Sequence, residues 1–217
     1  LWVRTYNGPG NGSDVPQALA VDPAGNAYVC GGSFSQLSSS GTFATDFHVA
    51  RFDASGNRTW EYRTNGNQNG GGTARDLALG PNGRVYVTGQ VKNAGNDWNI
   101  VTVAVNVSGA LFYRKEYSTP GWNTTEDDGQ LVHVDDAGNA YVAGQWMSDP
   151  VQGQPDRNRD AFVIKYDAQG DLDWFRSTTR AREEFPTDIT TDLEGNVFVA
   201  GVWLNTREAD GFIEAFS

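Results

Sequence analysis

The sequence predicts an all-β fold: a β-propeller of four-stranded antiparallel blades, with four blades in this chain. Three observations predict it. A hairpin-like segment recurs four times, a second hairpin-like segment falls between its copies, and the spacing is close to 55 residues. A repeat of this length made of four short strands is typical of a propeller blade.

The first repeated segment joins two apolar runs by a turn of the D-x-x-G type. The turn glycines are spaced by 58, 55 and 57 residues, and the four copies cover residues 18–32, 76–90, 131–145 and 188–202. Glycine supplies the positive φ that closes a short hairpin, and Asp or Asn hydrogen-bonds the turn backbone. Each copy therefore predicts two antiparallel strands.

The second repeated segment has the same construction and contributes the other two strands of each unit. Its copies cover residues 46–60, 99–113 and 160–174, and a fourth begins at Asp210. In the first full unit we expect strands near 17–22, 26–33, 46–53 and 57–64. The predicted blades, within a single domain over residues 1–217, are 7–64, 65–118, 119–178, and 179–217 together with 1–6.

The two ends of the chain supply the remaining strands. Residues 1–6 (LWVRTY) match the last strand of a unit, and residues 210–217 match the strand before it. We therefore expect the termini to complete one blade and close a four-bladed ring. Two alternatives stay open: the chain is part of a larger ring of six to eight blades, or two chains join into an eight-bladed ring.

The motifs LAVDPAGNAYVCGG and DAFVIKYDAQGDLDW resemble the bacterial β-propeller repeat family known as SBBP. The resemblance covers essentially the whole chain, with departures such as Gly80 at a turn Asp and Tyr113 at a Trp. It implies a secreted or surface-attached bacterial module, extracellular or on the cell surface. It brings no shared catalytic residues.

Composition excludes several classes of partner. With 27 acidic and 16 basic residues the formal net charge is −11, which repels phosphate backbones, so no nucleic-acid partner is expected. No run of 18 apolar residues exists, so no direct membrane insertion is expected. Cys30 lies in an apolar run and is predicted to be a small buried hydrophobe.

The connections between hairpins are long and variable, so the face that carries them is the predicted recognition face. Three carboxylates, each eleven residues before a turn glycine, are candidates there. They are predicted either to bind Ca²⁺, the one cofactor considered, or to cap the entry into the innermost strand. These residues are Asp14, Asp127 and Glu184.

Aromatic and histidine side chains provide the other candidates. Trp122, Trp146 and Trp203 lie on or beside the variable loops and are predicted to stack on sugars, to anchor a protein, or to wedge between blades. His133 lies in an innermost strand, which borders the channel. No other copy has a histidine at that position.

No nucleophile, phosphate-loop or zinc-hydrolase motif is present. The sequence was therefore interpreted as a non-catalytic extracellular binding or scaffold module for carbohydrate or protein, with self-association to complete a larger ring as a further expectation. Two alternatives were kept. One is a lyase or hydrolase at the channel mouth using Asp127, His133 and Glu184, and the other is a purely structural spacer.

Overall fold

The computed structural model describes residues 1–37, 43–66, 70–95, 97–119, 126–147, 159–178, 183–204 and 208–216, and every structural statement below refers to these. They form an all-β structure of fifteen strands with one short 3₁₀ turn at Pro81–Gly83. The strands are β1 (Asp14–Val21), β2 (Ala27–Leu37), β3 (Phe43–Phe52), β4 (Arg58–Thr64), β5 (Gly72–Leu79), β6 (Val85–Lys92), β7 (Trp98–Val105), β8 (Leu111–Tyr117), β9 (Asp128–Val134), β10 (Ala140–Met147), β11 (Arg159–Tyr166), β12 (Leu172–Ser177), β13 (Glu183–Thr191), β14 (Val197–Leu204) and β15 (Ala209–Phe216).

The strands form four antiparallel sheets in chain order. Sheets 1, 2 and 3 each have four strands, β1–β4, β5–β8 and β9–β12, and the described part of sheet 4 has three, β13–β15. Each strand pairs with its sequence neighbours, as the two-hairpin repeat predicted. In sheet 1 the strands extend further toward the long loops than expected, because pairing continues past a bulge between Pro16 and Ala18.

The within-hairpin turns follow the predicted chemistry. Gly25 has a φ of 81° and its N–H donates to the Asp22 carbonyl, while one Asp22 carboxylate oxygen accepts from the N–H groups of Ala24 and Asn26. Where Gly80 replaces the turn Asp, the chain forms the 3₁₀ turn instead. The turn residues thus fix the hairpin register locally.

Successive sheets pack face to face, and each of the three apolar cores lies between two neighbouring sheets. Tyr28 and Val87 belong to the core between sheets 1 and 2, Tyr86 and Phe162 to that between sheets 2 and 3, and Tyr141 to that between sheets 3 and 4. The first strands of the sheets, β1, β5, β9 and β13, contact one another in turn. They therefore form the inner side of a propeller-like arrangement.

Among the described residues, the two chain ends do not pair with each other. Residues 1–6 lie on sheet 1, where Trp2 Nε1 donates to the Ala54 carbonyl at 3.0 Å. Trp60 of β4 makes the same bond to Val107 in the next sheet, also at 3.0 Å. Residues 1–6 thus occupy the position of an outermost strand preceding sheet 1. No closed ring is found among the described residues, and the number of blades in the complete ring stays a prediction.

Within the described ranges, no helix is long and apolar enough to cross a membrane.

Candidate functional site

The inner strands and the long loops meet at one face, since every inner strand begins at the loop side and ends at a tight turn. Most of the long loops fall in ranges 38–42, 67–69, 120–125, 148–158, 179–182 and 205–207, outside the described residues. Trp122 is among them. The site is therefore built from the inner strands.

The three carboxylates predicted at the strand entries have oxygens engaged by loop donors. Asp14 accepts from the Gly8 and Phe34 N–H groups at 2.9 and 3.1 Å and from the Ser33 hydroxyl at 2.5 Å. These hydrogen bonds hold its pKa below the usual value, although partial burial opposes them.

Asp127 and Glu184 repeat this arrangement at fully buried positions. Asp127 Oδ2 accepts from the N–H and hydroxyl of Thr119 at 3.0 and 2.7 Å. Glu184 Oε2 accepts from the Ala161 N–H at 3.1 Å and from the Thr178 hydroxyl. N–H and O–H donors directed at an oxygen compete with a cation for it, so the geometry favours loop closure at the strand entry.

The structure does not bring the three carboxylates together, because they lie in different sheets. Among the described side chains no group of three or more His, Cys, Asp or Glu is arranged to hold a metal ion. Calcium binding therefore stays an untested prediction.

Two of the predicted tryptophans pack against phenylalanines of their own sheets. Trp146 meets Phe175 edge-on with ring centroids 6.2 Å apart, and Trp203 stacks on Phe212 at 5.5 Å. Both indoles are half-buried at the margins of the inter-sheet cores.

Two inner-strand carboxylates form the most distinctive group in the structure. Asp76 of β5 accepts from the Leu77 N–H at 2.8 Å and, across the sheet boundary, from the Val132 N–H of β9 at 2.9 Å. Asp188 of β13 holds the equivalent position and accepts from the Ile189 N–H at 2.9 Å. Both stand seven residues before a turn glycine.

Burial raises the pKa of Asp76, and the negative charge of Asp188 raises it further, against the lowering effect of the two N–H donors. Asp188 itself is exposed. A carboxyl whose pKa is raised, paired with an accessible carboxylate, is an arrangement used in general acid–base catalysis.

A second polar group lies toward the loop end of the same strands. Arg75 pairs with Asp128 at 3.1 Å, and Gln130 Nε2 donates to Gln145 Oε1 at 3.0 Å. Burial raises the pKa of Asp128, and the guanidinium of Arg75 opposes that rise. Together these side chains offer amide and guanidinium donors near Asp76.

His133 faces sheet 4, and its Nε2 lies 3.1 Å from Thr191 Oγ1. Burial lowers its pKa, while the charges of Asp135 and Asp188 oppose the shift. The predicted His133 therefore belongs to the same inner group as Asp188, whereas the predicted Asp127 and Glu184 are enclosed at strand entries.

Sequence reasoning missed Asp76, Asp188 and the Arg75–Asp128 pair. A signal was present, since two of the four repeat copies begin with Asp, in DLALGPNG and DITTDLEGN. The repeat comparison did not show that these residues face the interior of the arrangement.

Comparison with solved structures adds a likeness of fold. The chain is similar to an α-L-arabinanase from Penicillium chrysogenum complexed with arabinobiose, with 11% identity, 91% of this chain and 60% of that chain covered, and a TM-score of 0.58. It is also similar to an endo-arabinase from Bacteroides thetaiotaomicron, with 10% identity, 100% and 79% covered, and a TM-score of 0.51. The chain thus spans 60% of the length of the first enzyme.

At this identity the likeness shows the fold, which is all-β and propeller-like. No protein-family model matches the chain, and no curated protein sequence matches it. The resemblance to SBBP repeats therefore stays a prediction.

The comparisons correct the interpretation of this protein as a non-catalytic binding or scaffold module. Both similar structures are enzymes.

Proposed function

We propose that this chain is a carbohydrate-active hydrolase domain that cleaves glycosidic bonds at the inner strands, with Asp76 as general acid and Asp188 as general base. The observation that carries the proposal is the pairing of a half-buried carboxyl, whose pKa is raised, with an exposed carboxylate whose charge contributes to that rise.

Glycoside hydrolysis needs this division of roles. One carboxylic acid protonates the departing oxygen, while a carboxylate activates water or attacks the sugar directly. The Val132 N–H holds the Asp76 side chain in place from the neighbouring sheet. Asp188, on the exposed side, has access to solvent water.

The polar group toward the loops suits the binding of a sugar chain. The half-buried Arg75 and Gln130 provide donors for hydroxyl groups, and the half-buried Trp146 and Trp203 offer apolar surface. We propose arabinan and its short oligosaccharides as the first substrates to examine, because the similar structures are arabinanases, one of them complexed with arabinobiose. The predicted extracellular location fits a polysaccharide substrate.

The decisive experiment measures release of reducing ends from arabinan and from a panel of other plant polysaccharides, using the chain and two variants. Asp76→Asn removes the transferable proton and keeps one oxygen, so it retains one of the two bonds that the carboxyl accepts from the Leu77 and Val132 N–H groups. Asp188→Asn removes the base. Since general acid–base groups contribute about 10²- to 10⁴-fold, each variant is expected to lose at least roughly 100-fold in kcat.

Asp136→Asn is the matched control, because Asp136 is an exposed carboxylate in the turn after β9, the inner strand between those that carry Asp76 and Asp188. It should retain full activity. Asp76→Asn should remain folded but unfold at a lower urea concentration than the parent chain, because one backbone N–H loses its acceptor. Failure of the parent chain to hydrolyse any substrate of the panel, or full activity of Asp76→Asn, would refute the proposal.

A further inference from the structure

A β-bulge occurs at the same position of all four inner strands. In each inner strand one residue has no opposite number in the second strand, while the residues on either side of it are paired. This bulged residue stands eight residues before the turn glycine in every repeat, and it is always polar, whereas the residue before it is Pro, Ala or Gly. A bulge re-aims the side chain of the extra residue. We call the four bulged residues the bulge row: Gln17, Arg75, Gln130 and Thr187.

A glycine in the second strand makes each bulge possible. The residue before the bulge pairs with this glycine, which is Gly31 in sheet 1. A Cβ atom at Gly31 would overlap the Val15 carbonyl oxygen, because the bulge brings that carbonyl against the second strand. The glycines at the equivalent positions of the other sheets meet a carbonyl oxygen in the same way: Gly89, Gly144 and Gly201. A glycine inside a strand weakens it, so the four glycines indicate that the bulges are a built-in feature of the repeat.

Two members of the bulge row connect neighbouring sheets. Arg75 of β5 makes a bidentate pair with Asp128 of β9, with Nε–Oδ1 and Nη2–Oδ2 distances of 3.2 and 3.1 Å. Gln130 Nε2 donates to Gln145 Oε1 at 3.0 Å, and Gln145 Nε2 donates to the Glu184 carbonyl of β13. Sheets 2, 3 and 4 are thus linked by hydrogen bonds at the level of the bulges, and these bonds orient the side chains in the absence of a ligand.

The linked side chains stay partly open to solvent. Sheets 2 and 3 have a neighbouring sheet on both sides, yet Gln130 is only half-buried and the Arg75 side chain is 33% exposed. The inner strands contain six carboxyl groups and one guanidinium, that of Arg75, whose charge Asp128 balances. Hydrogen-bonding groups in a negative surrounding potential suit an uncharged ligand rich in hydroxyl groups, and they repel chains that carry carboxylates or phosphates.

We propose that the bulge row holds the sugar chain in the proposed site and selects neutral glycans over acidic ones. The choice of a sugar as the ligand rests on the proposed function. Asp76 and Asp188 directly follow bulged residues in the sequence, so a glycan bound to the bulge row lies beside the two carboxyls that are proposed to cleave it. A uronic acid unit finds no uncompensated cation on the inner strands, because Arg75 is already paired with Asp128.

The test is direct binding, measured by isothermal titration calorimetry on the chain that carries Asp188→Asn, so that cleavage does not consume the probe. Hexasaccharides of arabinan, galactan and xylan are the neutral probes, and a galacturonan hexasaccharide is the acidic probe. At least one neutral probe should bind, and more tightly than the acidic probe. Binding of no neutral probe, or tighter binding of the acidic one, would overturn the proposal.

Asp128→Asn should change the selectivity. Asparagine keeps an oxygen for Arg75 but removes the balancing charge, so the guanidinium can bind a carboxylate of the ligand. The galacturonan hexasaccharide should then bind roughly 10-fold more tightly or better, as one charge-assisted hydrogen bond allows. Burial raises the pKa of Asp128, so this position tolerates a neutral side chain.

Asp136→Asn is the control for this change, because it removes the same charge from the turn after β9. It should leave binding of the galacturonan hexasaccharide unchanged. If Asp128→Asn and Asp136→Asn alter that binding equally, the Arg75–Asp128 pair does not set the selectivity and the proposal is wrong.

Arg75→Gln and Gln17→Ala measure the contribution of the bulge row to affinity. Each removes hydrogen-bonding groups and should weaken binding of a neutral probe roughly 3- to 10-fold. Gln17 is exposed, so Gln17→Ala should fold even if Arg75→Gln is destabilised. The control is Gln169→Ala, an exposed glutamine in the turn between β11 and β12. Binding by both variants as tight as that of Gln169→Ala would refute the proposal.

Binding and cleavage fail separately. A chain that binds a neutral probe through the bulge row but releases no reducing ends supports this inference and refutes the catalytic roles of Asp76 and Asp188. A chain that cleaves arabinan while Arg75→Gln and Gln17→Ala bind like the control refutes this inference and leaves the proposed function in place.

Discussion

Leu19 and Leu77 offer a direct comparison of one repeat position in two environments. Leu77 is 7% exposed between sheets 1 and 2, whereas Leu19 is 66% exposed. Truncating a buried leucine to alanine costs about 2–5 kcal/mol, from lost burial and from the cavity left behind. An exposed leucine away from other contacts contributes within about 0.5 kcal/mol.

We therefore expect Leu77→Ala to lower the free energy of unfolding by about 3 kcal/mol and Leu19→Ala to leave it almost unchanged in the single chain. With a urea dependence of about 1–3 kcal/mol per molar, Leu77→Ala should move the midpoint down by roughly 1–3 M. Fluorescence of the seven tryptophans can follow the transition at submicromolar concentration.

Equal losses for the two variants would refute the reasoning, because they would mean that exposure in the single chain does not separate these positions.

Three further results are expected. Gly170→Ala should destabilise the fold more than Gly195→Ala. Both glycines have a positive φ, where a side chain costs about 1–2 kcal/mol, but the new methyl group at 170 also overlaps the Tyr113 ring, whereas that at 195 meets nothing within 4 Å. Urea unfolding of the two variants measures the difference in stability, and an equal loss would contradict the packing at Gly170. Burial raises the pKa of the Cys30 thiol to about 12, so iodoacetamide should leave the thiol unmodified at pH 8 until denaturant is added. Mass spectrometry measures the modification, and rapid labelling of the native chain would contradict the burial of Cys30. Burial lowers the pKa of His48 below 6.5, so the unfolded chain binds this proton at a higher pH than the folded chain does, and the free energy of unfolding falls as the pH drops through 6.5. His48→Gln should make the free energy of unfolding depend less steeply on pH between pH 7 and 5. An unchanged pH dependence would show that other groups cause it.

Repeat and turn chemistry could be predicted from the sequence because they are local. A glycine at positive φ and an Asp that bonds the turn backbone fix each hairpin within five residues. Two hairpins per repeat then fix the order of strands in a sheet. The strand ends beyond the bulges were not predictable, because pairing there depends on the facing strand.

The site was only partly predictable. His133 was singled out by its unusual position in an innermost strand, and the structure places its Nε2 3.1 Å from Thr191 Oγ1 of β13, the strand that carries Asp188. Asp127 and Glu184 have the same sequence pattern as solvent-facing ligands, yet both are enclosed by loop donors. Asp76 was missed because its raised pKa comes from burial and from a charge two sheets away, 112 residues further along the chain.

The sequence by itself determined the all-β class, the four-strand unit and the positions of the turns, since these follow from periodicity and from residues that act on their own backbone. The tertiary structure alone decided which equivalent residues are covered. Leu19 and Leu77 are the same residue type in the same motif. Leu77 is buried because sheet 1 covers it, and Leu19 is exposed because no described sheet covers it. Residues 1–6 also have the sequence of an outermost strand, but they lie on sheet 1 and do not pair with the described part of β15. The sequence did not predict this position, because packing against a sheet is a contact between distant parts of the chain and no local pattern encodes it.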